Sequence, residues 1–133
     1  MTGGTSETLQ GAARKVAVVD DDADGRSALA SLLRACGVEA RAFDSAQAFL
    51  GEMDAYDCVV SDIQMPGMTG LQLAEALKAR SPALPIILMT ACPEEAGRRQ
   101  AERLGVAHYI EKPFEPDDLV ARLRAIIGPG ASD

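Results

Sequence analysis

This sequence predicts an α/β fold: one five-stranded parallel sheet, doubly wound, with helices on both faces. Three observations lead there. Five short runs rich in Val, Ile and Ala alternate with stretches of helical apolar period, the pattern of repeated strand–helix units. The 133 residues suit a single domain large enough to bury its own core. Four of the five runs end on side chains able to do chemistry, and right-handed crossovers bring all such ends to one edge of a parallel sheet.

Residues 1–13, rich in Gly, Thr, Ser and Ala, read as a flexible lead, 14–127 as the folded domain and 128–133 as a breaker-rich tail. The run 15–20 is too short and too Val-rich for a helix and reads as a buried strand. Residues 24–36 place Ala28, Leu29, Leu32, Leu33 and Cys36 on one helical face, and Gly37 stops the helix. In 38–43, Val38, Ala40 and Ala42 alternate with Glu39 and Arg41, a second strand. Ser45 caps a short helix carrying Ala46, Phe49 and Leu50. Residues 56–62 form the third strand, and 70–80 a helix with Leu71, Ala74 and Leu77 inward and Leu73 one step off. The most apolar run, 84–90, suits the sheet centre. A weaker helix covers 93–104, with Pro93 in its first turn, Gly97 lowering its propensity by about 1 kcal/mol and Gly105 ending it. Residues 107–111 are the fifth strand, and Pro116 opens a last helix with Leu119, Leu123, Ile126 and Ile127 inward.

A net charge of −7 argues against nucleic-acid binding by this domain. Cys36, Cys58 and Cys92 include no CxxC pair, which disfavours zinc, and an odd count without a secretory leader fits a reducing cytoplasm. No apolar run is long enough to cross a bilayer, so no membrane role is expected.

The chemistry gathers at the strand ends. Asp20 and Asp21 follow the first strand, Asp62 the third, Thr90 the fourth and Lys112 the fifth. Carboxylates crowded at one edge repel one another, and a hard divalent cation together with an ammonium relieves that repulsion. The same two charges neutralise an incoming phosphoryl group, a threonine hydroxyl donates to it, and a carboxylate serves as nucleophile.

At these residues the chain resembles the receiver domains of bacterial two-component response regulators. The resemblance rests on four ordered motifs: Val18-Val19-Asp20-Asp21, the segment from Ser61 through Asp62-Ile63-Gln64-Met65-Pro66-Gly67 to Gly70, Ile87-Leu88-Met89-Thr90-Ala91, and Tyr109-Ile110-Glu111-Lys112-Pro113-Phe114. It implies the flavodoxin/CheY-like strand order 2-1-3-4-5. It also implies Asp62 as phosphoryl acceptor, and Mg²⁺ (or Mn²⁺) held by Asp20, Asp21, Asp62 and the Gln64 backbone carbonyl. Thr90 and Lys112 become the phosphoryl-binding residues, Thr90 and Tyr109 the switch pair, and the Lys112–Pro113 bond a cis-proline bond. Gln64 and Cys92, two after the acceptor and two after the threonine, are the positions that tune hydrolysis, with Gln64 orienting water. The implied partners are a sensor histidine kinase or phosphotransfer protein, and then a downstream protein target or a phosphorylation-induced homodimer. The surface of the fourth helix, fifth strand and last helix would carry that switch. The Ser45–Leu50 and Ile110–Phe114 segments look like the FixJ type, which often precedes a DNA-binding domain; this chain is read as a stand-alone receiver or a receiver piece of a longer regulator.

Other readings attach to the same residues. Asp20, Asp22 and Asp24 before Gly25 imitate a calcium loop, but its twelfth position is Ser31. Asp20 with Asp22 has the spacing of a haloacid-dehalogenase-type phosphatase, against which stand the chain's size and the unexplained Asp62 turn. A phosphorylation-independent scaffold is a third. His108 reads as a surface residue beside the site edge, and Arg98, Arg99 and Arg103 as a solvated face or a partner surface.

Overall fold

The computed structural model describes residues 14–128; the expected lead at 1–13 and tail beyond Gly128 lie outside them. The strands are β1 (Lys15–Val19), β2 (Glu39–Phe43), β3 (Cys58–Asp62), β4 (Ile86–Thr90) and β5 (His108–Glu111). The helices are α1 (Ala23–Ala35), α2 (Ala46–Leu50), α3 (Gly70–Arg80), α4 (Glu95–Leu104) and α5 (Pro116–Ile127), with one 3₁₀ turn at Met53–Ala55. All pairings are parallel and the sheet order is β2-β1-β3-β4-β5, the doubly wound order that the resemblance implies.

Period-2 alternation divides the core into two layers. Val16, Val18, Cys58, Val60, Ile87, Met89 and Ile110 meet Leu29 and Leu33 of α1 and Leu119, Leu123 and Ile127 of α5. Ala17, Val19, Val59, Ile86 and Leu88 meet Phe49 of α2, Leu73 and Leu77 of α3 and Ala101 of α4. Each fully buried Leu or Val contributes about 1.5–3 kcal/mol, so these two layers hold the sheet edge rigid. Phe43, Phe49 and Tyr56 close the β2 side with ring centroids 5.6–5.8 Å apart.

The expected elements are all present, with local differences. The inward face of α1 is Leu29, Ala30 and Leu33, while Ala28 is exposed. In α3 Leu73 is fully buried along with Leu77, whereas Leu71 is only partly covered, beside α4. Pro93 does not enter α4, which begins at Glu95, because the Cys92 N–H is tied to Thr90 Oγ1 at 3.0 Å and keeps the loop on the strand end. His108 lies at the opening of β5, not at the site edge, and its Nδ1 faces Arg122 Nη1 at 3.1 Å. Gly37 and Gly105 end their helices at positive φ, 85° and 75°.

Gly70 meets a stricter demand. As the first residue of α3 it lies against the β3 end, and its N–H donates to Ile63 O at 3.0 Å. A Cβ there would collide with the carbonyl oxygen of Asp62 and sit 2.9 Å from Ile63 Cα. A Cβ at Gly97 meets only ordinary contacts, 3.7 Å to Tyr109 Oη and 3.8 Å to Leu71 Cδ1. Gly70→Ala is expected to lose about 3 kcal/mol of stability, since backbone on both sides has to move. Gly97→Ala is expected to gain up to about 1 kcal/mol through helix propensity. Urea denaturation of the two variants beside the parent checks both signs.

Candidate functional site

The parallel register carries the chemistry to one edge. Asp62 is the last residue of β3, opposite Met89, and Thr90 is the last of β4, opposite Glu111. Asp20 and Lys112 come one residue beyond β1 and β5. The ladder still holds there: Asp20 N donates to Phe43 O at 3.1 Å and Lys112 N to Thr90 O at 2.8 Å. Asp20, Asp62 and Lys112 continue the α1/α5-facing alternation of Val18, Val60 and Ile110. Thr90 and Tyr109 continue the opposite one with Leu88.

Asp20, Asp21 and Asp62 each bring a carboxylate oxygen within 4.8 Å of the others. Asp20 and Asp62 are buried, 3% and 8% exposed, and Asp21 is open to solvent. Lys112 Nζ stands 3.5 Å from Asp62 Oδ2 and 3.8 Å from Asp20 Oδ2. Asp62 Oδ1 is buried with no hydrogen-bond partner. A buried carboxylate oxygen left unsatisfied is costly. With an all-oxygen donor set around it, the place suits a hard divalent cation.

The other acid of the first cluster does different work. Asp22 is the N-cap of α1 and its Oδ2 accepts from Gly25 N at 2.8 Å. It is therefore committed to helix capping, which removes the second carboxylate that the phosphatase reading needs. Asp20 Oδ1 accepts from Asp22 N at 3.0 Å, and Arg26 Nη1 donates to the Asp20 carbonyl at 2.8 Å. The turn after Asp62 is pinned by a capping box at α3: Thr69 Oγ1 accepts from Gln72 N and Gln72 Oε1 from Thr69 N. The Lys112–Pro113 peptide is cis.

Two features escaped the sequence reading. One is the demand on Gly70, whose glycine serves helix-to-backbone contact and not a turn. The other is the Gln64 side chain, whose Oε1 accepts from Thr90 Oγ1 at 2.9 Å. Beside Asp20 and Lys112 an apolar groove of about 640 Å³ opens between α1 and the start of α5, walled by Ala28, Leu32, Ala91, Pro113 and Phe114. On the opposite face Tyr109 is half-buried under the Arg98 guanidinium, 4.9 Å from the ring centroid, and Arg98 Nη2 reaches Glu111 Oε2 at 3.3 Å. The three cysteines are free, and burial pushes the Cys58 thiol up to about 12.

Burial raises the Asp20 carboxyl above its ordinary range, and the Asp62 and Asp21 charges add to that; the Asp22 N–H and Lys112 oppose it. A carboxyl raised in the fold binds its proton more tightly folded than unfolded. Its contribution to stability is thus full below the ordinary carboxylate range and is lost as pH rises through the folded value. Asp20→Asn keeps the acceptor for Asp22 N–H and removes the charge. Without divalent cations it is expected to be more stable than the parent at about pH 7, by on the order of 1 kcal/mol. That difference should shrink on acidification, as the parent's Asp20 takes up its proton; urea midpoints across pH check the sign.

The comparisons with known proteins agree with this geometry. The family model described as the response regulator receiver domain matches residues 16–124. The transcriptional regulatory protein FixJ of Bradyrhizobium diazoefficiens is 40% identical over 112 residues, 83% of this chain and 55% of that protein. This chain spans about half the length of the FixJ relatives it matches. Among solved structures, the FixJ-N crystal structure superposes with a TM-score of 0.78 at 29% identity, covering 85% of this chain and 92% of that one. The BeF3-activated receiver domain of DrrB, from Thermotoga maritima, does so with 0.80 at 27%, covering 87% and 98%. With the fold, the strand order and the edge of acids in place, this chain belongs to the receiver domain family of two-component response regulators.

Proposed function

We propose that Asp62 is the phosphoryl acceptor of a two-component signalling step, taking its phosphoryl group from a sensor histidine kinase or a phosphotransfer protein. The observation that carries this reading is the buried, unpartnered Oδ1 of Asp62, a carboxylate clustered with those of Asp20 and Asp21 and held through its Oδ2 3.5 Å from the Lys112 ammonium. A carboxylate oxygen of Asp62 attacks the phosphorus of a phosphohistidine. The P–O bond forms as the P–N bond breaks, and the leaving imidazole takes up a proton. Lys112 neutralises one phosphoryl oxygen and the Thr90 hydroxyl donates to another.

Asp20, Asp21, Asp62 and the Gln64 backbone carbonyl would hold Mg²⁺, with Mn²⁺ as a substitute. When bound, that ion offsets the carboxylate charge and screens the phosphoryl oxygens. The apolar groove beside Lys112 gives a donor protein a place to seat next to the acids. Thr90 and Tyr109 share the α3/α4 face, so a move of Thr90 toward the phosphoryl group opens room for Tyr109 to turn inward. That change remodels the α4–β5–α5 surface and alters its affinity for a downstream protein or a second copy of the chain. α4 suits such a role: Ala101 is its only fully buried residue, and Arg98 and the Lys78 to Arg103 carbonyl bond tie it on. The reaction is confined to loading and hydrolytic loss at Asp62, with no separate substrate turned over. No described helix is long and apolar enough to cross a membrane, and we assign the protein to the cytoplasm.

Incubation with Mg²⁺ and acetyl phosphate or phosphoramidate is expected to add one phosphoryl group by intact mass, and Asp62→Asn is expected to abolish it. An adduct that survives in Asp62→Asn would move the acceptor to Asp20 or Asp22. Omitting Mg²⁺, or substituting Asp21→Asn, is expected to cut the loading rate by at least about tenfold, since the phosphoryl charge then goes uncompensated.

A further inference from the structure

The Gln64 side chain carries an inference of its own. Gln64 is exposed, two residues beyond Asp62, yet its Oε1 accepts a hydrogen bond from Thr90 Oγ1, which is fully buried. The same Oγ1 accepts from Cys92 N at 3.0 Å. A threonine hydroxyl has a single proton to donate, and here it is committed to Gln64. A phosphoryl oxygen on Asp62 can receive that proton only if the Gln64 bond opens.

We propose that Gln64 is a latch on Thr90: a positioning residue that holds the hydroxyl in its resting direction and thereby sets how readily the domain switches. The inference rests on Asp62 being the phosphoryl acceptor and adds a regulator of that same site. The exchange is one acceptor for another. A charged phosphoryl oxygen is a stronger acceptor than a neutral amide, so the phosphorylated state wins the proton while the free protein keeps it on Gln64. The Cys92 N–H is bonded to the same oxygen, so the loop leading into α4 is drawn along when Thr90 turns. Gln64 is exposed, so water takes the place of the Thr90 hydroxyl on its amide oxygen when the latch opens, and the threshold it sets is small and tunable.

The test is a double-mutant cycle read by beryllofluoride affinity in the presence of Mg²⁺, followed by amide chemical shifts. Gln64→Leu keeps the backbone carbonyl and removes the acceptor. It is expected to tighten beryllofluoride binding about two- to fivefold, the lower part of the range for a neutral hydrogen bond. In a Thr90→Val background, where no hydroxyl remains, Gln64→Leu is expected to change nothing; in Thr90→Ser the gain is expected to return. Equal tightening with and without the hydroxyl, or none in either, overturns the latch. A Gln64→Leu variant that changes only the decay of the phosphorylated protein, with analogue affinity unmoved, overturns it in favour of water positioning. A parent that takes up no beryllofluoride overturns the acceptor reading and the latch with it, whereas a parent that binds without coupling between the two positions overturns the latch alone.

Discussion

Three carboxylates faced by one ammonium at a single sheet edge are the constraint around which this domain is built. Like charges this close disfavour one another, and burial of Asp20 and Asp62 strengthens the effect by removing water. The fold answers with directed groups. The Asp22 N–H and Lys112 both act on Asp20, Lys112 also reaches Asp62, and the first turn of α1 opens beside the cluster. What is left over is an oxygen of Asp62 without a partner. An edge arranged in this way favours whatever brings positive charge to it.

Such an edge survives only on a rigid support. The two apolar layers hold β1, β3 and β4 from both faces, and the backbone around Asp62 is gripped by Ile63 N donating to Met89 O and by α3 closing on Gly70. The Thr69–Gln72 capping box fixes where α3 starts, and so fixes how closely that helix approaches the acidic strand end. Precision at the acids is thus inherited from contacts that carry no charge.

The alternation of the strands also separates the acids and Lys112 from Thr90 and Tyr109. Asp20, Asp62 and Lys112 follow the parity that faces α1 and α5, and Thr90 and Tyr109 follow the parity that faces α3 and α4. Thr90 sits at the strand end where the two meet, with its hydroxyl shared between Gln64 and the Cys92 N–H. On the Tyr109 face α4 is weakly buried, held by Ala101 and by the Arg98 contacts to Tyr109 and Glu111. Through the Cys92 N–H, Thr90 joins the acidic strand end to the loop that leads into this helix.

The sequence alone determined the kind and order of the elements, because a strand's period of two and a helix's apolar stripe are local properties written in consecutive residues. It also marked Asp20, Asp21, Asp62, Thr90 and Lys112, since a polar residue closing an apolar run is visible without knowing what lies beside it. The neighbour order of the strands came from resemblance, and periodicity is blind to it. Tertiary structure decided the rest. It gave Asp22 to the α1 cap and left Asp20 to the cluster, although the two look alike in the chain. It moved the start of α4 beyond Pro93 and His108 away from the site edge. It required a glycine at position 70 and tied Gln64 to Thr90. Each of these depends on the distance between atoms that packing brings together from remote parts of the chain, and no local pattern encodes such a distance.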